Sequence, residues 1–283
     1  MQTEIRNFSR DLKKEVNASK YKKEIVTIVL LGSAARGEFI KGESDIDFIV
    51  VVKSSKSKRT VTKFISRVLN KLNKRYDLRL EETCTDREKY KNEILTMITK
   101  LEALTFFGVP FYVISMEDYD FFRNKISSPR IWFLGTFLGS LNEFLISVKD
   151  TGKVIYGKNL LKLINVKLDF SDRIKVIMEQ GLILFASVLI FPFNTKLSLK
   201  HAVKASLYQE EFDLLFLQKH LKGYVKDTKT FNAVFSDNKF FVNHLKKTIY
   251  YRKNYGRIRV SRAECAKFIG STMRFIFGTM KAV

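Results

Sequence analysis

The chain has 283 residues, 46% of them apolar, and carries 51 Lys and Arg against 29 Asp and Glu, a formal charge of +22. The apolar share supports a packed core and excludes a disordered chain, and the length points to two domains. No stretch reaches the roughly 18 uninterrupted apolar residues of a membrane span, and the opening MQTEIRNFSRDLKKEV lacks the apolar core of a signal peptide, so a cytoplasmic location is expected.

In chain order, TEIRNFSRDLKKEVNAS spaces Ile5, Phe8, Leu12 and Val16 as a helix does, and EIVTIVLLG is a short apolar run suited to a buried strand. DIDFIVVVK reads as a second strand. RTVTKFISRVLNKLNKRY places Val61, Phe64, Ile65, Val68, Leu69 and Leu72 on one stripe of a helix. YDLRLEET then alternates at period two, DREKYKNEILTMITKLEALTFFG is a helix with an acidic first turn, and VPFYVIS is another strand. Helix and strand thus alternate through residues 1–127, an α/β (α+β) domain with a small mixed sheet.

From residue 128 to 283 the pattern turns wholly helical. IWFLGTFLGSLNEFLISV, DRIKVIMEQGLILFASVLI, LSLKHAVKASLYQEEFDLLFLQKHLKG, TFNAVFSDNKFFVNHLKKTIYY and RAECAKFIGSTMRFIFG each carry helical spacing, so an all-α bundle is expected. Charge is divided unequally. Up to residue 125 there are 25 basic and 18 acidic residues, and beyond it 26 and 11, so the excess rises from +7 to +15. Such an imbalance favours a nucleic acid or polyphosphate partner, although a generally lysine-rich surface would produce it too. Cys84 and Cys265 stand far apart without metal-ligand spacing, which suggests neither a disulfide framework nor a zinc site, and two buried, reduced thiols are expected.

The densest chemistry lies in LGSAARGEFIKGESDID, residues 31–47. Asp45 and Asp47, two apart, leave the same side of a strand and can converge on one point. Two carboxylates beside FIVVV repel each other and are costly to bury unless a cation compensates, and oxygen-only ligands favour magnesium or manganese. Solvent-facing aspartates at a turn are the alternative. Gly32 and Ser33 follow a strand and open an Ala-rich helical start, so their amides and the Ser33 hydroxyl can face an anion. A phosphate cradle next to paired carboxylates is the equipment of phosphoryl or nucleotidyl transfer.

These residues resemble the signature of the DNA polymerase β-like nucleotidyltransferase superfamily: a Gly-Ser pair, a spacer of about ten residues, here eleven, then Asp-x-Asp. GSAARGE is most similar to the minimal nucleotidyltransferase branch. The resemblance is specific over residues 24–82. It implies transfer of a nucleoside monophosphate from an NTP, ATP or CTP, to an acceptor hydroxyl with release of pyrophosphate. It also implies magnesium or manganese on Asp45 and Asp47, and a third carboxylate that joins the metal site or activates the acceptor. Asp77, about thirty residues on, fits that place, with Glu81 on the same face of YDLRLEET as the other choice; a cap paired with Arg79 is the structural alternative for Asp77. Arg36 would lie near the triphosphate or pair with Glu38 or Glu43. Ser44 would donate to phosphate or cap the strand entry.

In the helical part, Lys200, Lys204 and Tyr208 stand four apart on one face, as a nucleotide-binding stripe or a solvated lysine face. HLKKTIYYRKNYGRIRVSR (244–262) contains no acid and interleaves Lys246, Lys247, Arg252, Lys253, Arg257, Arg259 and Arg262 with Tyr250, Tyr251 and Tyr255. Exposed rings among basic groups suit an RNA backbone and its unstacked bases, whereas buried tyrosines under solvated charge would be structural. His201, His220 and His244 lack metal spacing, and none has the upstream arginine of HEPN-type ribonucleases. The expected acceptor is therefore RNA, such as a transfer-RNA end. A protein or small-molecule acceptor and a catalytically silent nucleic-acid-binding module are the competing readings.

Overall fold

The computed structural model describes residues 3–41, 44, 46–77, 111–121, 125–129 and 140–282. They divide into two compact units, one from the described residues of 3–77, 111–129 and 145–166, the other from 140–144 and 167–282.

The first unit is built on a four-stranded mixed sheet. Its strands are β1 (Ile25–Leu30), β2 (Phe48–Val52), β3 (Phe111–Ser115) and β6 (Lys153–Gly157), in the order β3-β2-β1-β6. β1 runs antiparallel to β2 and β6, and β2 parallel to β3. A separate short ribbon pairs β4 (Tyr119–Asp120) with β5 (Lys125–Ile126). α1 (Thr3–Ala18) and α3 (Lys58–Tyr76) press the expected stripes Ile5, Phe8, Leu12, Val16 and Val61, Ile65, Val68, Leu69, Leu72 into one core with Ile28, Leu30, Phe48, Val50 and Val52. The alternate strand residues share that core because successive side chains leave opposite faces. Phe8 stacks on Phe48 at 6.0 Å and meets Tyr76 edge-on at 6.2 Å, which locks both helices to β2.

β6 revises the expected boundary at 127/128. KVIYG hydrogen-bonds to β1, so the first unit reaches past α4 (Leu141–Thr151) into the region read as helical. The expected elements at 78–110 and 130–139, together with Cys84, lie outside the described residues.

The second unit is helical, with α5 (Phe170–Ile190), α6 (Thr195–Phe216), α7 (Tyr224–Val234), α8 (Lys239–Asn254) and α9 (Arg262–Ala282). α6 is central, packed on by the other four. Ser187 and Ser198 exchange hydroxyl-to-carbonyl bonds of 2.8 and 2.7 Å, so α5 and α6 cross closely at small side chains. The run read as one helix over 230–251 is two, because Asn238 accepts the Phe241 amide at 3.2 Å and starts α8 afresh. Ser261 and Glu264 close a capping box on α9. The Cys265 thiol is buried, as expected. No helix among the described residues is long and apolar enough to cross a membrane.

Candidate active site

The GSAARG segment folds as a five-residue helix, α2 (Gly32–Arg36), bracketed by two glycines in the left-handed region, Gly32 at φ +60° and Gly37 at φ +80°. Side chains other than glycine rarely adopt that region, so the sequence ends β1 and stops α2 at the two positions able to do so. The Leu31 amide donates to the Asp47 carbonyl at 2.9 Å, which carries the β1–β2 ladder one step past Phe48. Asp47 therefore sits just ahead of the strand, not within it, and stands opposite the Gly32 turn.

The result is close approach. A β-carbon on Gly32 would lie 2.9 Å from Asp47 Oδ2, so the carboxylate occupies space that any other residue at 32 would claim. Ile46 is buried, which fixes the alternation that aims Asp47 away from the core. The two halves of the motif, fifteen positions apart in sequence, thus meet in space. Ser33 and Arg36 are half-buried on α2. Ser44 Oγ accepts the Ile40 amide at 3.0 Å and its own amide returns to the Ile40 carbonyl at 2.9 Å, so Ser44 closes the loop that leads into the acidic pair. Asp45 and Glu81 lie outside the described residues.

Asp77 takes a place that differs from the expected strand start. It ends α3 in the left-handed region, at φ 43° and ψ 49°, and its exposed carboxylate pairs with Lys41 at 3.3 Å, in the same loop as Ser44. The residue that alternates with Leu78 in sequence is thus a helix cap in space, because aspartate tolerates that conformation better than most side chains. Among the described residues no three His, Cys, Asp or Glu side chains gather as a metal cluster.

Lys200, Lys204 and Tyr208 share a face of α6 as expected, but it is half-buried and not a solvated lysine row; the Lys204 ammonium lies 5.6 Å from the Tyr208 ring centre. Lys204 also acts on Glu179, a buried carboxyl on α5 that sequence reasoning passed over. Burial pushes the Glu179 carboxyl up to about 8, and Lys204 pulls in the opposite direction. The signal was present: Asp172, Val176 and Glu179 recur at helical spacing on one side of α5, which is the side turned inward. Glu210 and Asp213 on α6 are likewise buried, the first pushed well up and the second to about 7, mainly by burial.

The basic stretch 244–262 is split by the structure. Lys246, Lys247, Lys253, Arg257, Arg259 and Arg262 are exposed. Arg252 is not among them, since its guanidinium packs 4.1 Å from the Tyr224 ring centre. Tyr251 is buried edge-on against Phe268 at 4.9 Å, and Tyr255 donates its hydroxyl to the Lys196 carbonyl at 2.9 Å. Of the three tyrosines expected as stacking platforms, Tyr250 alone is exposed.

Residues 9–105 match the family model described as a nucleotidyltransferase domain, about a third of the chain and inclusive of the Gly-Ser turn and both motif aspartates. That segment is a nucleotidyltransferase domain of the DNA polymerase β-like kind, and the chain is an enzyme of the nucleotidyltransferase class. No curated protein matches the chain by sequence. Among solved structures it is similar to a spectinomycin adenyltransferase from Enterococcus faecialis, crystallised with ATP and spectinomycin, at 14% identity and a TM-score of 0.46, over 99% of this chain and 100% of that one. A likeness that remote says nothing about this chain's substrate.

Proposed function

We propose that this enzyme moves a nucleoside monophosphate from an NTP, ATP or CTP, to the hydroxyl of an acceptor at the Gly32–Asp47 site. The observation that supports it best is Asp47 Oδ2 standing 2.9 Å from the missing Gly32 β-carbon, which leaves a carboxylate and a helix-opening turn side by side. An oxygen-only donor set beside a glycine turn fits a hard divalent cation, and Asp45 and Asp47 would hold magnesium or manganese there. Such an ion, when bound, polarises the phosphates and lowers the pKa of a ligated hydroxyl.

The chain's own residues do the rest. The Gly32 and Ser33 amides and the Ser33 hydroxyl receive the phosphates, Arg36 offsets their charge, and Ser44 holds the loop in place. Asp77, released from Lys41, or Glu81 takes the acceptor proton. The acceptor oxygen bonds to the α-phosphorus as its bond to the bridging oxygen breaks, and pyrophosphate leaves.

We assign the acceptor to RNA, contacted through its phosphates by Lys246, Lys247, Lys253 and Arg257 on the exposed basic stretch. A second reading, a small-molecule or protein hydroxyl, is favoured by the tyrosines: with Tyr251 buried and Tyr255 tied to Lys196, no row of rings is left for unstacked bases. The test incubates the purified chain with each of four α-labelled NTPs, magnesium or manganese, and in parallel total RNA, lysate protein and a panel of small polyhydroxyl compounds. Label in RNA that disappears in Asp47→Asn supports the first reading. Label only in protein or small molecules supports the second, and no label with any acceptor overturns both in favour of a silent module.

A further inference from the structure

α5 is apolar on both sides. Its inward side carries Val176, Leu184 and Ile190 together with Asp172, Glu179, Gln180 and Ser187, and its outward side carries Ile174, Met178, Leu182, Phe185 and Val188, which are 45–59% exposed. The spacing of four, four, three and three makes one continuous stripe along a helix about 30 Å long. From Val176 to Phe193 the only ionisable side chain is Glu179, which is buried, so beyond Ile174, which stands between Arg173 and Lys175, the stripe carries no charge in a chain of net charge +22. A helix apolar on its outer side and packed on its inner one belongs inside a larger assembly. α9, packed along α5, exposes Met273 and Phe277 as well.

We propose that this face of α5 is a homodimer interface, occupied by the α5 of a second copy of the chain in antiparallel register. Three observations select that occupant. First, area: half-exposed aromatic and aliphatic side chains of this number, with Phe170 and Phe193 at the helix ends, present roughly 700–900 Å², above the ~300–600 Å² of an ordinary monomer's largest patch and close to the ~800 Å² that each partner of a standard interface buries. Second, charge: an acidic partner would find Arg173 and Lys175 at one end of the stripe and nothing along the rest, whereas in an antiparallel pair centred on Gly181 those two residues of one copy lie opposite the uncharged far end of the other. Third, symmetry: Ile174 and Met178 lie seven and three residues before Gly181, and Leu182, Phe185 and Val188 one, four and seven after it. The stripe is therefore nearly the same read in either direction, as an isologous two-fold contact requires. At its centre, a β-carbon on Gly181 would meet nothing within 4 Å, so this is where two helices can approach most closely.

Gly181→Arg is the informative variant, because the single chain has open space there and arginine suits a helix better than glycine. Leu182→Glu is its companion. Sedimentation equilibrium of the full chain from about 1 to 100 μM, at low and high salt, is expected to give twice the 33.0 kDa of one copy, with tighter association at high salt as the net charges are screened. Each variant should raise the dimer dissociation constant at least ~100-fold with an unchanged circular dichroism spectrum. A wild-type chain that stays at 33.0 kDa throughout overturns the proposal, whether the face then binds neutral lipid vesicles or is shielded by another part of the same chain. A dimer that survives both substitutions overturns it equally.

Discussion

The Asp47 carboxylate is held 2.9 Å from the point where a β-carbon on Gly32 would stand, with the Leu31 amide bonded to the Asp47 carbonyl at 2.9 Å beside it. Gly32→Ala should therefore strike the site before it strikes the fold. The methyl must push Asp47 aside, and the left-handed φ of +60° adds about 1 kcal/mol of backbone strain. We expect nucleotidyl transfer to fall at least ~100-fold while the melting temperature drops by only a few degrees. Asp47→Asn, which keeps the shape and removes the charge, should lose as much activity with no loss of stability; transfer rates near wild type in both variants would refute the assignment of the site.

That meeting of Gly32 with Asp47 was legible in the sequence because it depends on local rules: a glycine that ends a strand, and carboxylates two apart at the start of the next. The stripes of α1 and α3 and the apolar runs of β1, β2 and β3 were legible for the same reason. β6 was not, since KVIYG is a half-buried strand at the sheet edge and pairs with β1 more than a hundred residues away. Periodicity also fails to say which side of α5 faces inward. Glu179 and the stripe of Met178 and Phe185 follow equally regular helical spacing, and only packing against α6 sends the polar one inside. The tyrosines show the converse limit, as basic neighbours in sequence do not keep Tyr251 out of the core formed with Phe268.

Asp118 ties the start of α3 to the end of β3. Its carboxylate accepts Lys58 Nζ at 2.8 Å and the Ser115 amide at 2.7 Å. Burial pushes this carboxyl up, but Lys58 and the Ser115 amide and hydroxyl together hold it below the ordinary 3.8. A depressed value stabilises the fold above the unfolded pKa, and that contribution is lost as pH falls through the folded one. Asp118→Ala should cost about 1–3 kcal/mol near neutrality, with the gap to wild type closing as the pH is taken below 3.8. Thermal melts across that range check it, and a constant gap would assign the loss to packing alone.

Glu179 has the opposite sign. Burial raises its carboxyl from 4.5 to about 8 against the pull of Lys204, so between those values the folded chain holds a proton that the unfolded chain has released. Stability then falls as pH rises through that window. Glutamine copies the protonated acid, so Glu179→Gln should match wild type below pH 4.5 and exceed it by a few kcal/mol, on the order of 2–4, above pH 8. Melting curves of the two proteins that stay parallel from pH 4 to 9 would remove Glu179 from the account of alkaline stability.

The basic stretch separates charge from core within a few residues, and that separation can be measured. Lys246 and Lys247 are exposed on α8, while Tyr251, one turn on, is buried against Phe268. Replacing both lysines with alanine removes two charges proposed to meet phosphate and, from the fold, the Lys247 ammonium 5.4 Å from the Tyr251 ring centre. The slope of log affinity for RNA against log salt should shrink by about two, with a loss of stability of no more than about 1 kcal/mol. Tyr251→Ala does the reverse: it opens a cavity beside Phe268 and should cost about 3–5 kcal/mol of stability, while the salt slope of the surviving folded protein stays as it was. If the lysine pair leaves RNA affinity untouched at every salt concentration, the surface charge of α8 serves solubility, and the acceptor is to be sought among small molecules or proteins.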